Sequence, residues 1–259
     1  MIVLLDTHVH FYPCYRIDRW IDGMFLNFQT HARALLLQEQ TAIGYGAILT
    51  ERSSEAYFAA WQQHPTLAHC SVESISPTCL LVRHPHFETP LSLYQGRQIK
   101  TAEGLEILCL SERSAVSDGL PFQETLTILA SSQTTLVIPW SCGKWLGARR
   151  ALVRNALRSS MPDLFIGDIF GRPWIEPLKK LSRTTQRHIL AGTDPLPQAQ
   201  DESLAGTKIT VIQHTALESL PRVMTTDFFH DHALTTACHK YEGVLPLVLR
   251  QARYQLNQK

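Results

Sequence analysis

The sequence has almost no imbalance of charge and no apolar run long enough to cross a bilayer. It carries 24 basic and 23 acidic side chains, a formal net charge of +1. A polyanion-binding surface spread over the whole protein is therefore not expected, and neither nucleic acid nor a membrane is an expected partner. The apolar start, 1–5, meets Asp6 too early for a signal peptide, so the expected location is the cytoplasm.

Several motifs that would define other classes are also missing. The six cysteines form no C-x-x-C pair, which argues against a zinc knuckle and against a small disulfide scaffold and favours reduced thiols. No G-x-G-x-x-G follows the first apolar run, so an open dinucleotide-binding sheet is not indicated. There is no G-x-S-x-G elbow of a serine hydrolase either.

What the chain does have is an alternation of short apolar runs and amphipathic segments, with no linker to divide it. We therefore expect one domain over 1–259. The patterns predict strands at 2–5, 42–50, 79–82, 104–110, 135–139, 164–167 and 188–191, and a loop at 84–95. They predict helices at 17–37, 53–63, 121–130, 147–159, 173–181 and 244–256.

This alternation implies βαβ units and a parallel sheet, either closed as a barrel or open and doubly wound. Polar residues follow nearly every apolar run, which is typical of a barrel, where chemistry sits at the carboxyl ends of several strands. The predicted fold class is α/β, a single distorted TIM-like βα-barrel.

The first predicted strand runs directly into two histidines. Side chains alternate faces in an extended segment, so His8 and His10 are expected to point the same way, with Asp6 on that side too. Two imidazoles from one strand end are able to bind one metal ion. The alternative is an ordinary polar strand terminus.

Asp194 follows a late apolar run at 189–191. A carboxylate placed there meets the first-strand histidines across a barrel mouth, where it serves as a metal ligand or accepts a proton. Taken alone, the same residue is equally well explained as a helix-capping aspartate in a turn.

Two segments carry a family resemblance. Asp6-Thr7-His8-Val9-His10-Phe11 and Gly192-Thr193-Asp194-Pro195 resemble the opening and closing motifs of the amidohydrolase and PHP (polymerase and histidinol phosphatase) superfamilies, and 48–52 resembles the PHP segment after the second strand. The resemblance implies a distorted βα-barrel, one to three bound metal ions, and hydrolysis of a phosphoester or a C–N bond.

The departures from the family pattern limit what it implies. Arg52 stands where a histidine ligand is expected, Gln98 where a bridging glutamate is expected, and Pro139-Trp140 where a His-Pro pair is expected. Since a guanidinium or an amide is a poor substitute for an imidazole or a carboxylate, we expect one divalent ion (zinc, manganese or iron) or fewer per chain. Additional ligands or proton-transfer groups are sought first at Glu51 and Asp168, and otherwise at Glu106, His84, His86 and Cys142.

Basic residues recur near the same predicted strand ends. Arg52, Arg97, Lys144 and Arg172 indicate a local pocket for an anion such as phosphate or carboxylate. Surface solubility explains them equally well. The favoured hypothesis is a metal-dependent hydrolase of a small anionic substrate, and the alternative is a degenerate barrel that binds a small anion as a sensor or regulatory module.

Overall fold

The computed structural model describes residues 1–36, 42–110, 116–131, 134–141, 143–161, 163–172, 178–213, 220, 225–230 and 232–240. The strands are β1 Ile2–Val9, β2 Ile43–Glu51, β3 Thr66–Leu67, β4 Cys70–Ser76, β5 Cys79–Arg83, β6 Leu91–Lys100, β7 Glu106–Leu110, β8 Thr135–Pro139, β9 Leu164–Ile169, β10 Ile189–Gly192, β11 Lys208–Gln213 and β12 Ala233–Cys238. The α-helices are α1 Ile17–Leu36, α2 Tyr57–Gln62, α3 Phe122–Ala130, α4 Ala148–Arg158, α5 Leu178–Thr185 and α6 Thr226–His230. Among these described helices, none is long and apolar enough to cross a membrane.

Nine strands form one continuous sheet in the order β10-β9-β8-β7-β6-β2-β1-β11-β12. Strands β3, β4 and β5 form an antiparallel extension attached to β6. The pairs β1–β2, β2–β6, β8–β9 and β9–β10 are parallel, whereas β6–β7, β7–β8, β1–β11 and β11–β12 are antiparallel. The expected mixture of helices and strands is confirmed, but the sheet is mixed rather than parallel.

The two halves of the sheet curl towards each other, so that β10 comes back to β1. Thr7 Oγ1 donates a hydrogen bond to the carbonyl oxygen of Ala191 at 3.0 Å, and the Asp194 N–H donates one to the carbonyl oxygen of His8 at 2.8 Å. The result is a nearly closed, barrel-like sheet. A TIM barrel has eight parallel strands, and the antiparallel pairs here do not confirm that form.

The sheet directions bring several strand ends to one edge. Six strands share one direction: β1, β2, β6, β8, β9 and β10. Strand β7 runs the other way, so its amino end lies beside the carboxyl ends of those six strands. His8 and His10, Gln98, Glu106 and Asp194 are therefore all placed at this edge.

Most predicted elements that fall on described residues are present, and the predicted loop 84–95 differs from the prediction. The predicted loop 84–95 contains the start of β6 at Leu91, because that strand is central and pairs with β2, β5 and β7. Ladder pairing on both sides stabilises a strand that the local sequence marks weakly. The predicted closing helix 244–256 and the start of the predicted helix 173–181 lie outside the described residues.

A β-bulge in β1 decides which way the histidines point. Val3 and Leu5 pack in the core inside the barrel, whereas Leu4 and Val9 pack in the core shared with α1. Residues five apart lie on the same face only if the alternation is interrupted, and the pairing with β2 shifts its register between Asp6 and Val9. The bulge therefore keeps His8 and His10 on the inner face and leaves Asp6 on the outer one.

Candidate metal centre

Two buried imidazoles lie at the end of β1. His8 and His10 are each 1% exposed, and their Nε2 atoms are 3.0 Å apart. The bulge described above turns both rings to the inner face. The expected convergence of the H-x-H pair is thus present in the structure.

Asp194 joins the pair from the end of β10. Its Oδ1 atom lies 3.4 Å from His8 Nε2 and 3.6 Å from His10 Nε2. The approach depends on Gly192, because a Cβ atom there would lie 2.4 Å from the backbone nitrogen of His8. Asp194 itself has a φ of +48°, a left-handed conformation that aspartate tolerates better than most residues.

Gln98 supplies a fourth donor atom, its amide oxygen. Its Oε1 atom is 3.1 Å from the Nε2 atoms of both His8 and His10. Its amide nitrogen donates to Glu106 Oε1 at 3.4 Å, and that carboxylate also forms an ion pair with Lys144. This contact turns the amide so that its carbonyl oxygen faces the two rings.

The electrostatics favour the metal-binding form of His10. Burial, together with the neighbouring His8 and the charge of Arg52, holds the pKa of His10 well below its usual value. A neutral imidazole keeps a lone pair for an ion, whereas an imidazolium has none. Burial and the Asp194 carboxylate raise the pKa of the Tyr12 hydroxyl beside it, which keeps that group protonated.

The donor set fits a divalent transition metal. Nitrogen ligands about 2.0–2.1 Å from one tetrahedral ion lie about 3.3–3.4 Å apart, close to the 3.0, 3.4 and 3.6 Å separations among His8, His10 and Asp194. The Nδ1 atoms of both rings are buried and have no hydrogen-bond partner in the described parts of the chain. Carboxylate–histidine pairs usually orient such ligands through the second ring nitrogen, whereas here that side of each ring is held by packing and the Nε2 side contacts Gln98.

Asp6 has a separate, structural role. Its carboxylate accepts hydrogen bonds from the backbone N–H groups of His8, Thr193 and Gly206 at 3.1, 2.9 and 2.8 Å. Complete burial raises its pKa to about 6 despite these bonds. The expectation that Asp6 lies on the same face as the two histidines is wrong, because the bulge places them on opposite faces. Asp6 instead links β1 to the segments after β10 through its hydrogen bonds to Thr193 and Gly206.

The two acidic residues proposed as additional ligands contact other groups. Glu51 accepts the backbone N–H of Phe58 at 3.0 Å, near the start of α2. Asp168 forms ion pairs with Arg172 at 2.5 Å and with Lys208 at 2.8 Å. Neither belongs to the group formed by His8, His10 and Asp194.

The four predicted anion-binding residues all have acidic neighbours. Arg52 contacts Glu55 at 2.5 Å and Arg97 contacts Asp118 at 3.5 Å, while Lys144 and Arg172 pair with Glu106 and Asp168. The Arg97 and Arg172 side chains are only 8% and 15% exposed, whereas those of Arg52 and Lys144 are 39% and 31% exposed. The last two are the more accessible to a ligand.

Of the remaining candidate ligands, His84 belongs to a different cluster and Cys142 is not described by the structure. His84 contacts His69 and Asp22 instead of His8 and His10. Sequence reasoning missed this second group because its members come from segments far apart in the chain, and no spacing pattern marks them. Cys142 lies outside the described residues.

Comparisons with known proteins give a fold and no family. No protein-family model and no curated protein sequence matches the chain. Among solved structures, PsfC from Pseudomonas syringae PB-5123 aligns over 100% of this chain and 99% of its own, with a TM-score of 0.54 and 12% identity. This likeness shows a shared fold.

A second solved structure is the lesion-specific endonuclease PfuEndoQ from Pyrococcus furiosus. It aligns over 85% of this chain and 54% of its own, with 8% identity and a TM-score of 0.48. That score is too low to support an inference about this chain.

Proposed function

We propose that the chain is a metal-dependent hydrolase, a divergent βα-barrel of the amidohydrolase or PHP type, that acts on a small anionic phosphoester or C–N substrate. The observation that carries the proposal is the convergence of His8 Nε2, His10 Nε2 and Asp194 Oδ1 within 3.6 Å at one edge of the sheet. The resemblance at the opening and closing motifs supports it. A cytoplasmic location, where thiols stay reduced, belongs to the same proposal.

In this proposal the ion has a buried side and a side that faces solvent. His8 and His10 hold the ion from the buried side, where burial keeps His10 neutral. Asp194, whose side chain is 17% exposed, holds it from the side that faces solvent. A bound divalent ion supplies Lewis acidity, which polarises a substrate oxygen and makes a water molecule a better nucleophile near neutral pH.

The residues around the ligands position the substrate and move protons. Asp194 is the group placed to accept a proton from the attacking water, since its carboxylate is the one that reaches the open side. Arg52 binds the substrate anion: its guanidinium carbon lies 5.0 Å from the centre of the Tyr12 ring, and that ring lies 5.4 Å from the His10 ring. Lys144 holds Glu106 and thereby the Gln98 amide.

Elemental analysis tests the proposal most directly. The full chain is purified without chelators, offered zinc, manganese and iron, and assayed for bound metal and for turnover of phosphomonoesters, cyclic phosphates and small amides. We expect an ion that His8→Ala removes, and activity that requires it. Retention of this ion by His8→Ala, or no uptake at His8 and His10 from any of the three metals, contradicts the proposal and favours the anion-binding sensor.

A further inference from the structure

Three polar side chains from different parts of the chain meet beside α1. Asp22 comes from α1, His69 from the turn between β3 and β4, and His84 from the residue after β5. The two Nε2 atoms are 2.9 Å apart, and Asp22 Oδ1 lies 2.9 Å from that of His69 and 3.1 Å from that of His84. Two nitrogens and one oxygen thus form a nearly equilateral triangle.

A buried thiol lies next to this triangle. Cys70 is fully buried at the start of β4, and its Sγ atom lies within 4.8 Å of a ring nitrogen of each histidine. The turn before it contains only Ala68 and His69, because Leu67 pairs with Cys70. The hairpin therefore presents a histidine and a cysteine to the same point.

We propose that Asp22, His69, Cys70 and His84 form a second metal site, for a divalent ion of the zinc class that fastens the β3–β5 extension to α1. Two imidazoles, a thiolate and a carboxylate are the ligands that zinc takes, whereas magnesium and calcium prefer oxygen alone. His69, Cys70 and His84 form the compact group and Asp22 contacts its two imidazoles, so Asp22 as the fourth ligand would leave no open position on a tetrahedral ion and make the site structural. It shares no residue with the His8, His10 and Asp194 group and does not depend on the hydrolase proposal.

The aromatic surroundings of His84 hold its ring in place before an ion arrives. The ring of His84 lies 5.1 Å from that of Phe25 and 4.7 Å from that of Phe87, and its side chain is 4% exposed. A ligand whose orientation is fixed by packing loses little entropy on binding. The exposed fractions of His69 and Asp22, 38% and 44%, leave the ion a way in.

Binding at this site releases a proton. Burial and the Asp22 carboxylate raise the pKa of the Cys70 thiol to about 11, so the ion has to displace its proton. His84 Nδ1 accepts the backbone N–H of His86 at 3.0 Å, which assigns the proton of the neutral, metal-free ring to Nε2. An ion at Nε2 would require the other tautomer, with the proton on Nδ1, so the ring would release no net proton and the hydrogen bond from His86 would be lost.

The position explains what an ion would do for the fold. Strands β3 to β5 lie off the main path of the sheet and join it only through β5 and β6. An ion bound by Asp22, by His69 and Cys70 in the hairpin, and by His84 beyond β5 links the extension to α1. Without an ion, the hydrogen bonds to Asp22 and the packing of Phe25 against His84 still link the extension to α1.

Cobalt binding distinguishes an ion site from a hydrogen-bonded cluster. The full chain carrying His8→Ala and His10→Ala is titrated with Co²⁺ and Zn²⁺, so that the first group no longer contributes. We expect one ion per chain, a thiolate-to-cobalt absorption band, a zinc-dependent rise in Tm, and proton release on binding. Loss of the first group's ion leaves these readouts unchanged, which separates this proposal from that of the hydrolase.

Single substitutions assign the ligands. We expect Cys70→Ser to abolish the thiolate band, and His69→Ala and Asp22→Asn to weaken zinc binding about tenfold or more, since even residues behind metal ligands contribute about 10–100-fold. His64→Ala and Cys14→Ser, which remove an exposed histidine and an exposed cysteine, serve as controls. Near-ultraviolet circular dichroism of each zinc-free variant checks that it folds.

Two results overturn the proposal. One is a folded His8→Ala, His10→Ala protein that takes up no zinc or cobalt. The other is a Cys70→Ser or His69→Ala protein that binds the ion as tightly as its parent and with the same spectrum. If Asp22→Asn leaves zinc affinity unchanged, Asp22 is not a ligand of the ion.

Discussion

The backbone N–H of Asp194 donates a 2.8 Å hydrogen bond to the carbonyl oxygen of His8. Together with the bond from Thr7 Oγ1 to the carbonyl oxygen of Ala191, this contact joins the end of β10 to the end of β1, and Asp194 Oδ1 lies 3.4 Å from His8 Nε2. The candidate metal centre is therefore built on the closure of the sheet. Substitutions that disturb the closure are expected to lower the free energy of unfolding as well as metal affinity. Substitutions of the ligands are expected to lower metal affinity with little change in that free energy.

Asp194→Asn tests the ligand charge alone. The substitution keeps the volume of the side chain and removes the negative charge that faces both imidazoles. We expect metal affinity to fall about tenfold or more and activity to be lost, with little change in the free energy of unfolding of the metal-free protein. Isothermal titration with zinc and chemical denaturation measure the two effects.

Asp18→Asn is the matched control, since Asp18 is an exposed carboxylate paired with Arg16 on the protein surface. It is expected to leave zinc affinity unchanged. An Asp194→Asn protein with full metal content and full rate would show that the resemblance at Gly192–Pro195 is only a turn.

Gln98→Glu introduces a carboxylate of the kind found at this position in the PHP pattern that the sequence resembles. Its side-chain oxygen lies 3.1 Å from both Nε2 atoms, so a negative charge there attracts a cation directly. We expect divalent-metal affinity to rise about tenfold, or about 1.4 kcal/mol. Without the ion, the new charge lies near Glu106, so the metal-free protein is expected to be less stable.

Gln123→Glu, on the exposed face of α3, is the control for adding a charge elsewhere. Zinc titrations of both variants are compared with those of the parent. Unchanged affinity in Gln98→Glu would place Gln98 outside the ion's coordination.

Gly192→Ala tests the closure of the sheet. The added Cβ atom would lie 2.4 Å from His8 N and 2.5 Å from His8 Cβ, so β10 has to move away from β1. We expect a loss of about 1–3 kcal/mol in the free energy of unfolding, together with weaker metal binding as Asp194 shifts. Urea denaturation followed by circular dichroism measures the stability.

Gly143→Ala provides the comparison for this variant. Gly143 has a φ of +75° and no atom of the described residues within 4 Å of an added Cβ, so only its left-handed backbone is penalised. If both variants lose the same stability and bind metal equally, steric closure is not what positions Asp194.

A histidine pair outside the group of His8, His10 and Asp194 gives an expected pH dependence. His239 Nδ1 lies 3.0 Å from His31 Nε2, and burial together with the nearby charges lowers the pKa of His239 to about 4. The unfolded chain binds a proton near pH 6.5, so it holds more protons than the folded chain between about pH 6.5 and about pH 4. The contribution of His239 to the free energy of unfolding should therefore fall as the pH falls through this window, while Asp6, with its pKa raised to about 6, contributes in the opposite direction.

Denaturation of the chelator-treated protein across that window measures the slope. His239→Gln is expected to remove the part of the slope that His239 contributes, whereas His64→Gln, at an exposed position, should leave the slope unchanged. A slope that is equally steep in His239→Gln would assign the acid sensitivity to other groups.

The sequence alone determined the local parts of this picture. The apolar run of β1, the amphipathic α1 and the short strands β8 to β10 follow from periodicity, because burial on one face or both leaves a pattern in neighbouring residues. The His8, His10 and Asp194 group was predictable for the same reason. Polar residues after buried strands are brought together when the strand ends meet.

Tertiary structure decided what no local pattern records. The bulge in β1 separates Asp6 from the histidines, since a one-residue shift in pairing reverses every later side chain. The amide of Gln98 reaches both rings only because β6 lies two strands from β1 in the sheet. Asp22, His69 and His84 meet because α1 packs beside the β3–β5 extension, and contacts between distant segments depend on the packing of the whole chain.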